Sequence, residues 1–160
     1  GRLYSNWPPI DFHAAREMFN RDLEICKAIG DLAGQTQVHS HLGECGLAEA
    51  DLLIQTGAAS QALEMRRCAA DHYETALEIA RGISSSRHEI FSLAGLIRST
   101  AGVASESTIE VIGSKFVKLL DTEDNRNRFG FLAQQILGEF DSADYEWVRE
   151  LEIVSDQWSV

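Results

Sequence analysis

Tyr73-Glu74-Thr75-Ala76-Leu77-Glu78-Ile79-Ala80, then a short polar turn, then Ser92-Leu93-Ala94-Gly95-Leu96: these residues decide the fold. Tyr73, Ala76, Leu77 and Ala80 recur at three- and four-residue intervals, the spacing that puts side chains on one face of an α-helix. A second copy lies 54 positions upstream, where Leu23-Glu24-Ile25 stands for Leu77-Glu78-Ile79, Ile29 for Ile83 and Leu42 for Leu96. Each copy reads as the end of one helix, a turn, and the start of the next.

The same period continues outward. Helices are expected over about 11–29, 34–55, 59–81, 87–101, 107–120, 124–140 and 143 to the end. Their apolar stripes include Phe19, Leu23, Cys26 and Ile29 in the first, Val38, Leu42, Cys45, Leu52 and Leu53 in the second, and Phe129, Leu132, Ala133 and Ile136 in the sixth. The only prolines are Pro8 and Pro9, so no later helix meets a residue that lacks the backbone N–H. Asp11 reads as an N-cap, Thr56-Gly57 as a C-terminal stop, and Ser84-Ser85-Ser86 as a break. Strand-like alternation is hard to find. The expectation is an all-α protein of about seven helices with antiparallel neighbours, a single helical domain over residues 11–160 behind an N-terminal arm, 1–10.

These strings resemble the tetratricopeptide-repeat family over residues 19–102. By that resemblance, the Tyr73–Ala80 string closes the second helix of a repeat and the Leu-Gly string lies in the first helix of the next. Ala76 takes the small position where paired helices touch, and Leu42-Gly43 the close-packing position. The resemblance implies antiparallel hairpins stacked as a right-handed α-solenoid, with a binding groove lined by the first helix of each pair. Carried over, the groove residues are Gln37, Ser40, His41 and Glu44 in one pair, and Phe91, Ala94 and Arg98 in the next. The Lys/Asn pattern that clamps a peptide carboxylate in some members is missing here. One departure is large: Leu42 and Ala76 are 34 positions apart, an excess over the family pattern of roughly six helical turns at ~3.6 residues each. Shared between two helices, it predicts a long hairpin turning at Thr56-Gly57, an irregular variant similar to the sensor arms of STAND-type ATPases.

Charge and composition narrow the function. The chain has 160 residues, 44% hydrophobic and 24% charged, with 14 basic against 25 acidic side chains and a formal charge of −11. That composition suits a packed domain rather than a disordered one. The short basic clusters Arg66-Arg67, Arg126–Arg128 and Lys115–Lys118 sit among acids, which disfavours nucleic acid and anionic membranes. A protein or peptide partner, or another domain of a parent protein, fits better. No apolar run reaches a membrane span, and residues 1–10 lack the features of a secretory leader. With Gly at position 1, the chain reads as a piece of a larger signalling or regulatory protein. Cys26, Cys45 and Cys68 form no CxxC and cannot all pair, so they read as packed free thiols in a reducing, cytoplasmic setting.

Few residues suggest chemistry. His39-Ser40-His41-Leu42-Gly43-Glu44-Cys45 is the densest cluster of ligand types. On a helix His41, Glu44 and Cys45 share a face, so a metal- or small-ligand site, helped by His72 or Asp71, is the alternative reading. His39 lies about 200° around the helix from His41 at ~100° per residue, so these two cannot chelate together. Cys45 and His41 could be drawn as nucleophile and base, but a helix interior offers no free N–H for an oxyanion. Gly113-Ser114-Lys115 lacks the upstream glycine of a phosphate loop; like Gly43 and Gly46, Gly113 reads as a site of close helix approach. The acidic segment Glu139–Glu152 carries Phe140, Tyr145 and Trp147, read either as packing on a solvated helix or as a docking helix that inserts Trp147 and Trp158 into a partner. Trp7-Pro8-Pro9 is a flexible arm or packs on the first helix. No enzyme activity and no cofactor are expected.

Overall fold

A computed structural model describes residues 11–101 and 103–156. Among these, all regular structure is helical: α1 Phe12–Ile29, α2 Leu32–Gln55, α3 Ala59–Gly82, α4 Ser86–Thr100, α5 Glu106–Leu120, α6 Glu123–Leu137 and α7 Glu146–Asp156. Most starts are set by short polar side chains that accept from otherwise unbonded first-turn N–H groups, α3, which follows Ala58, being an exception. Asp11 accepts from Ala14 N (2.9 Å), Asp31 from Gly34 N (2.8 Å), Ser105 from Thr108 N (3.3 Å) and Thr122 from Asn125 N (3.2 Å). Helix α7 is served from a distance: Glu110 of α5 accepts from the backbone N–H of Glu146 (2.8 Å) and Trp147 (3.3 Å), a carboxylate at a helix N-terminus.

Two glycines with positive φ reverse the chain. Gly30 (φ 72) ends α1, with Asp31 N donating to Cys26 O and Gly30 N to Lys27 O, the 6→1 and shorter bonds of a left-handed helix stop. Gly57 (φ 82) stands at the tip between α2 and α3, as the sequence predicts. These two helices have 24 residues each, against 15 each for α4, α5 and α6, so the hairpin is about 36 Å long beside neighbours of about 22 Å.

Substantial helix contacts join elements one or two apart in the chain: each helix touches the next, and α2 touches α4, α4 touches α6, and α5 touches α7. The main core runs from Tyr73 and Leu77 through Ile90, Leu93 and Ile97 to Phe116, Phe129, Trp147 and Leu151. A smaller cluster of Leu23, Val38 and Leu42, flanked by Phe19 and Cys26, fixes α1 to α2. Helix α4 is buried on nearly every side, and its hydroxyls are satisfied within the helix: Ser92 donates to His88 O (2.7 Å) and Thr100 to Leu96 O (2.6 Å), which removes the penalty of burying them unpaired.

The structure corrects several sequence readings. Ile29 is 72% exposed and Leu52 49%, because the ends of α1 and of the long hairpin extend past the helices that would cover them. Cys45 is buried and Cys26 half-buried, but Cys68 is exposed rather than packed. Of the two readings of Trp147, packing holds and docking does not: it is wholly buried, its ring lying against Gly113 and among Phe140 and Tyr145. Helix α6 stops at Leu137 and α7 starts at Glu146, so 138–145 is not helical, with turns at 138–139 and 142–144. The Trp7-Pro8-Pro9 arm and Trp158 lie outside the described residues.

Candidate functional site

Tyr73 explains how the groove is built. It rises from α3 between α2 and α4, where glycines leave room for its ring: a Cβ on Gly43 would stand 2.6 Å from the ring atoms, and one on Gly95 would overlap them. Burial pushes the Tyr73 hydroxyl up, the Glu44 carboxylate adds to this, and Arg98 opposes it. The phenol is therefore neutral at physiological pH and stands between an acid of α2 and a base of α4.

Around this ring lies a groove of about 420 Å³, within the size range of ligand sites. Gln37, Ser40, His41 and Glu44 of α2 form one wall. Arg87, His88, Phe91, Ala94, Gly95 and Arg98 run along α4 as a single helical stripe, and Phe131, Leu132 and Gln135 of α6 form the far wall. Every groove residue predicted from the sequence lines this one cavity. Its walls come from α2, α4 and α6, an alternating set, over the Tyr73 ring of α3; the sequence reading assigns the first two walls to the groove.

Its middle is aromatic. Phe91 meets Phe129 edge-on at 5.7 Å between centroids and Phe131 at 6.1 Å. Phe129 is buried, but Phe131 is 59% exposed, a large apolar ring held open to solvent in a concave site. Its ends are polar. Arg98 pairs with Glu139 at 3.2 Å, and His41 lies 3.6 Å from Glu44 while stacking on Phe19 at 5.3 Å. Burial, with the nearby Arg87 charge, holds the His88 imidazole below its ordinary range.

Phe131, Leu132 and Gln135 are additions that the repeat does not reveal, since the matching text ends near residue 102. Tyr73 is legible in the sequence as a core residue but not as a groove floor. Arg87 and His88 stand four and three positions before Phe91, one turn away on the same helix, and that spacing alone could have placed them.

The alternative triad does not assemble. Cys45 is buried beside Arg16 and Glu49, and burial raises its thiol, while Glu44 and His41 face the groove. A buried, protonated thiol is a poor nucleophile and a poor ligand. His72 does not join His41 either; its Nδ1 lies 3.2 Å from Nδ1 of His39. Among the described residues, no three His, Cys, Asp or Glu side chains gather around a common point. None of these helices is long and apolar enough to cross a membrane. Comparison with known proteins finds no matching family model, no matching curated protein and no matching solved structure.

Proposed function

We propose that this chain is a tetratricopeptide-like interaction module, its hairpins stacked as a right-handed α-solenoid, and that its groove holds a segment of a partner protein. One observation carries the reading: alternate helices α2, α4 and α6 contribute to a single cavity whose centre is a half-open aromatic pair, Phe91 and Phe131. Stacked hairpins generate such a concave face because each pair can bury its apolar stripe only against the next. The chain's contacts between α2 and α4 and between α4 and α6 fit that arrangement.

A peptide segment suits the groove better than a reactive small molecule. Its lining offers a broad apolar seat with polar ends, and its side chains include no activated nucleophile. An apolar side chain of the partner sits between Phe91 and Phe131, and Gln37, Ser40 and Arg98 hydrogen-bond to its flanks. The excess of acid over base, −11 overall, turns such a module away from nucleic acid. A place within a larger regulatory or signalling protein fits a scaffold of this kind.

The test is selection of displayed random peptides on the full chain, followed by calorimetric titration of the best sequences. Phe131→Ala removes an exposed ring, so folding is retained, and affinity falls about ten-fold, a loss of ~1–2 kcal/mol expected of an aromatic anchor. His41→Ala combined with Glu44→Ala weakens binding further. Unchanged affinity in both variants would assign the selected peptides to another surface.

A further inference from the structure

His39 of α2 and His72 of α3 meet away from the groove, and neither lines it. His39 points at α3, while His41, about 200° around the helix at ~100° per residue, faces the cavity. The two imidazoles, one from each arm of the long hairpin, stand with Nδ1 atoms 3.2 Å apart, ring centroids 5.4 Å apart and planes inclined by 35°.

That separation has two chemical explanations. With no cation between them, one neutral ring donates its Nδ1–H to the lone pair of the other. It is also the separation that two histidine ligands adopt on one metal: nitrogens about 2.05 Å from a tetrahedral Zn²⁺ lie about 3.3 Å from each other. To exchange the shared proton for a cation the nitrogens keep their separation, but both rings turn so that their Nδ1 lone pairs meet at one point beside the line joining them. The proton shifts to Nε2 of the donor ring, so the exchange is a tautomerisation and no net charge leaves the pair.

We propose that His39 and His72 form a two-histidine site for a borderline divalent transition metal of the zinc class, bridging α2 and α3, with water or a partner's side chain completing the coordination. Imidazole nitrogen selects such ions over calcium and magnesium, which take oxygen. Burial holds both imidazoles below their ordinary range, helped at His39 by His72 and Lys27, and at His72 opposed by Asp71 and helped by Arg16, which keeps both neutral and able to ligate at pH 7. The facing charges are mixed. Asp71 stands beside His72 and favours a cation; Lys27 faces His39, and Arg16 faces His72, but Arg16 is itself paired with Glu49. The site is independent of the groove reading, since neither histidine lines that cavity.

Calorimetric titration of the full chain with Zn²⁺ alone at pH 7.5 tests this, with His39→Gln and His72→Gln compared against His13→Gln, which alters an exposed histidine of α1. The proposal expects one equivalent of zinc, a zinc-dependent rise in the thermal midpoint, and a loss of affinity of about ten-fold or more in each of the first two variants but not in the third. No zinc uptake overturns it, and so does either first variant holding zinc within about ten-fold of the unaltered chain. Should those variants fail to fold, imidazole ¹H–¹⁵N spectra of the unaltered chain decide: zinc must move the Nδ1 resonances of two of the five histidines, and movement of one or none overturns the site.

Discussion

Tyr73 shows how much depends on residues that are too small to interact by themselves. Its ring occupies the space that Gly43 and Gly95 leave on two neighbouring helices. Gly95→Ala sets two effects against each other. Alanine favours the helix by about 1 kcal/mol over glycine, but its methyl overlaps one edge of the Tyr73 ring while Gly43 abuts the other, and overpacking costs ~1–3 kcal/mol. The overlap wins, and chemical denaturation of Gly95→Ala should show a net loss of roughly 1 kcal/mol or more; a stability equal to or above that of the unaltered chain would refute the close fit. The sequence alone points to Gly43 and Gly113 as places of close helix approach. It does not show which ring fills each one, because Tyr73 and Trp147 reach them from helices distant in sequence. Trp147 follows the packing alternative of the sequence reading, but that its ring lies against Gly113 of α5 is not legible in the sequence.

At the scale of the element, the long hairpin is the most legible feature. The excess spacing between Leu42 and Ala76 implies it, and Gly57 marks its tip. With φ at 82, Gly57→Ala should cost about 1 kcal/mol or more, because a Cβ is unfavourable in the left-handed region. Gly82→Ala, at the end of α3 with no positive φ and open space where its methyl would stand, should be neutral or slightly stabilising in the same urea titrations. The hairpin also carries a pH dependence. His39 and His72 lie below their ordinary value of 6.5 in the folded chain. As pH falls through 6.5, the unfolded chain takes up protons that the folded chain does not, so stability is lost progressively on the acid side and is unaffected above it. The thermal midpoint of the unaltered chain should therefore fall more between pH 7.5 and 5 than that of His72→Gln. His88 is shifted the same way but remains in both chains and cancels. Equal falls would contradict the pairing. Element ends are the least legible part. Helical periodicity continues through Phe140 and resumes before Tyr145, yet the chain turns between them. No proline marks the place, and Gly138 keeps a right-handed backbone (φ −75).

For the whole molecule, the even-numbered helices matter most. The resemblance over residues 19–102 points to α2 and α4 as the helices lining a groove, and the residues it names all line one cavity. Helix α6 is readable only as a helix. Its apolar stripe of Phe129, Leu132, Ala133 and Ile136 is the buried face, and Phe131 falls outside that stripe, where a sequence pattern gives no reason to single it out. Only the packing of α6 against α4 brings Phe131 next to Phe91. The Phe91–Phe131 surface therefore arises from the packing of one helix on another, beyond the reach of periodicity. The most direct measurement is a backbone ¹H–¹⁵N chemical-shift map of the full chain titrated with a selected peptide. The largest changes should fall together on Gln37, Phe91, Gly95 and Phe131, on three helices at once. Changes confined to the outer face of α5 and α7, around Ser114 and Ile153, would contradict a binding groove built from α2, α4 and α6.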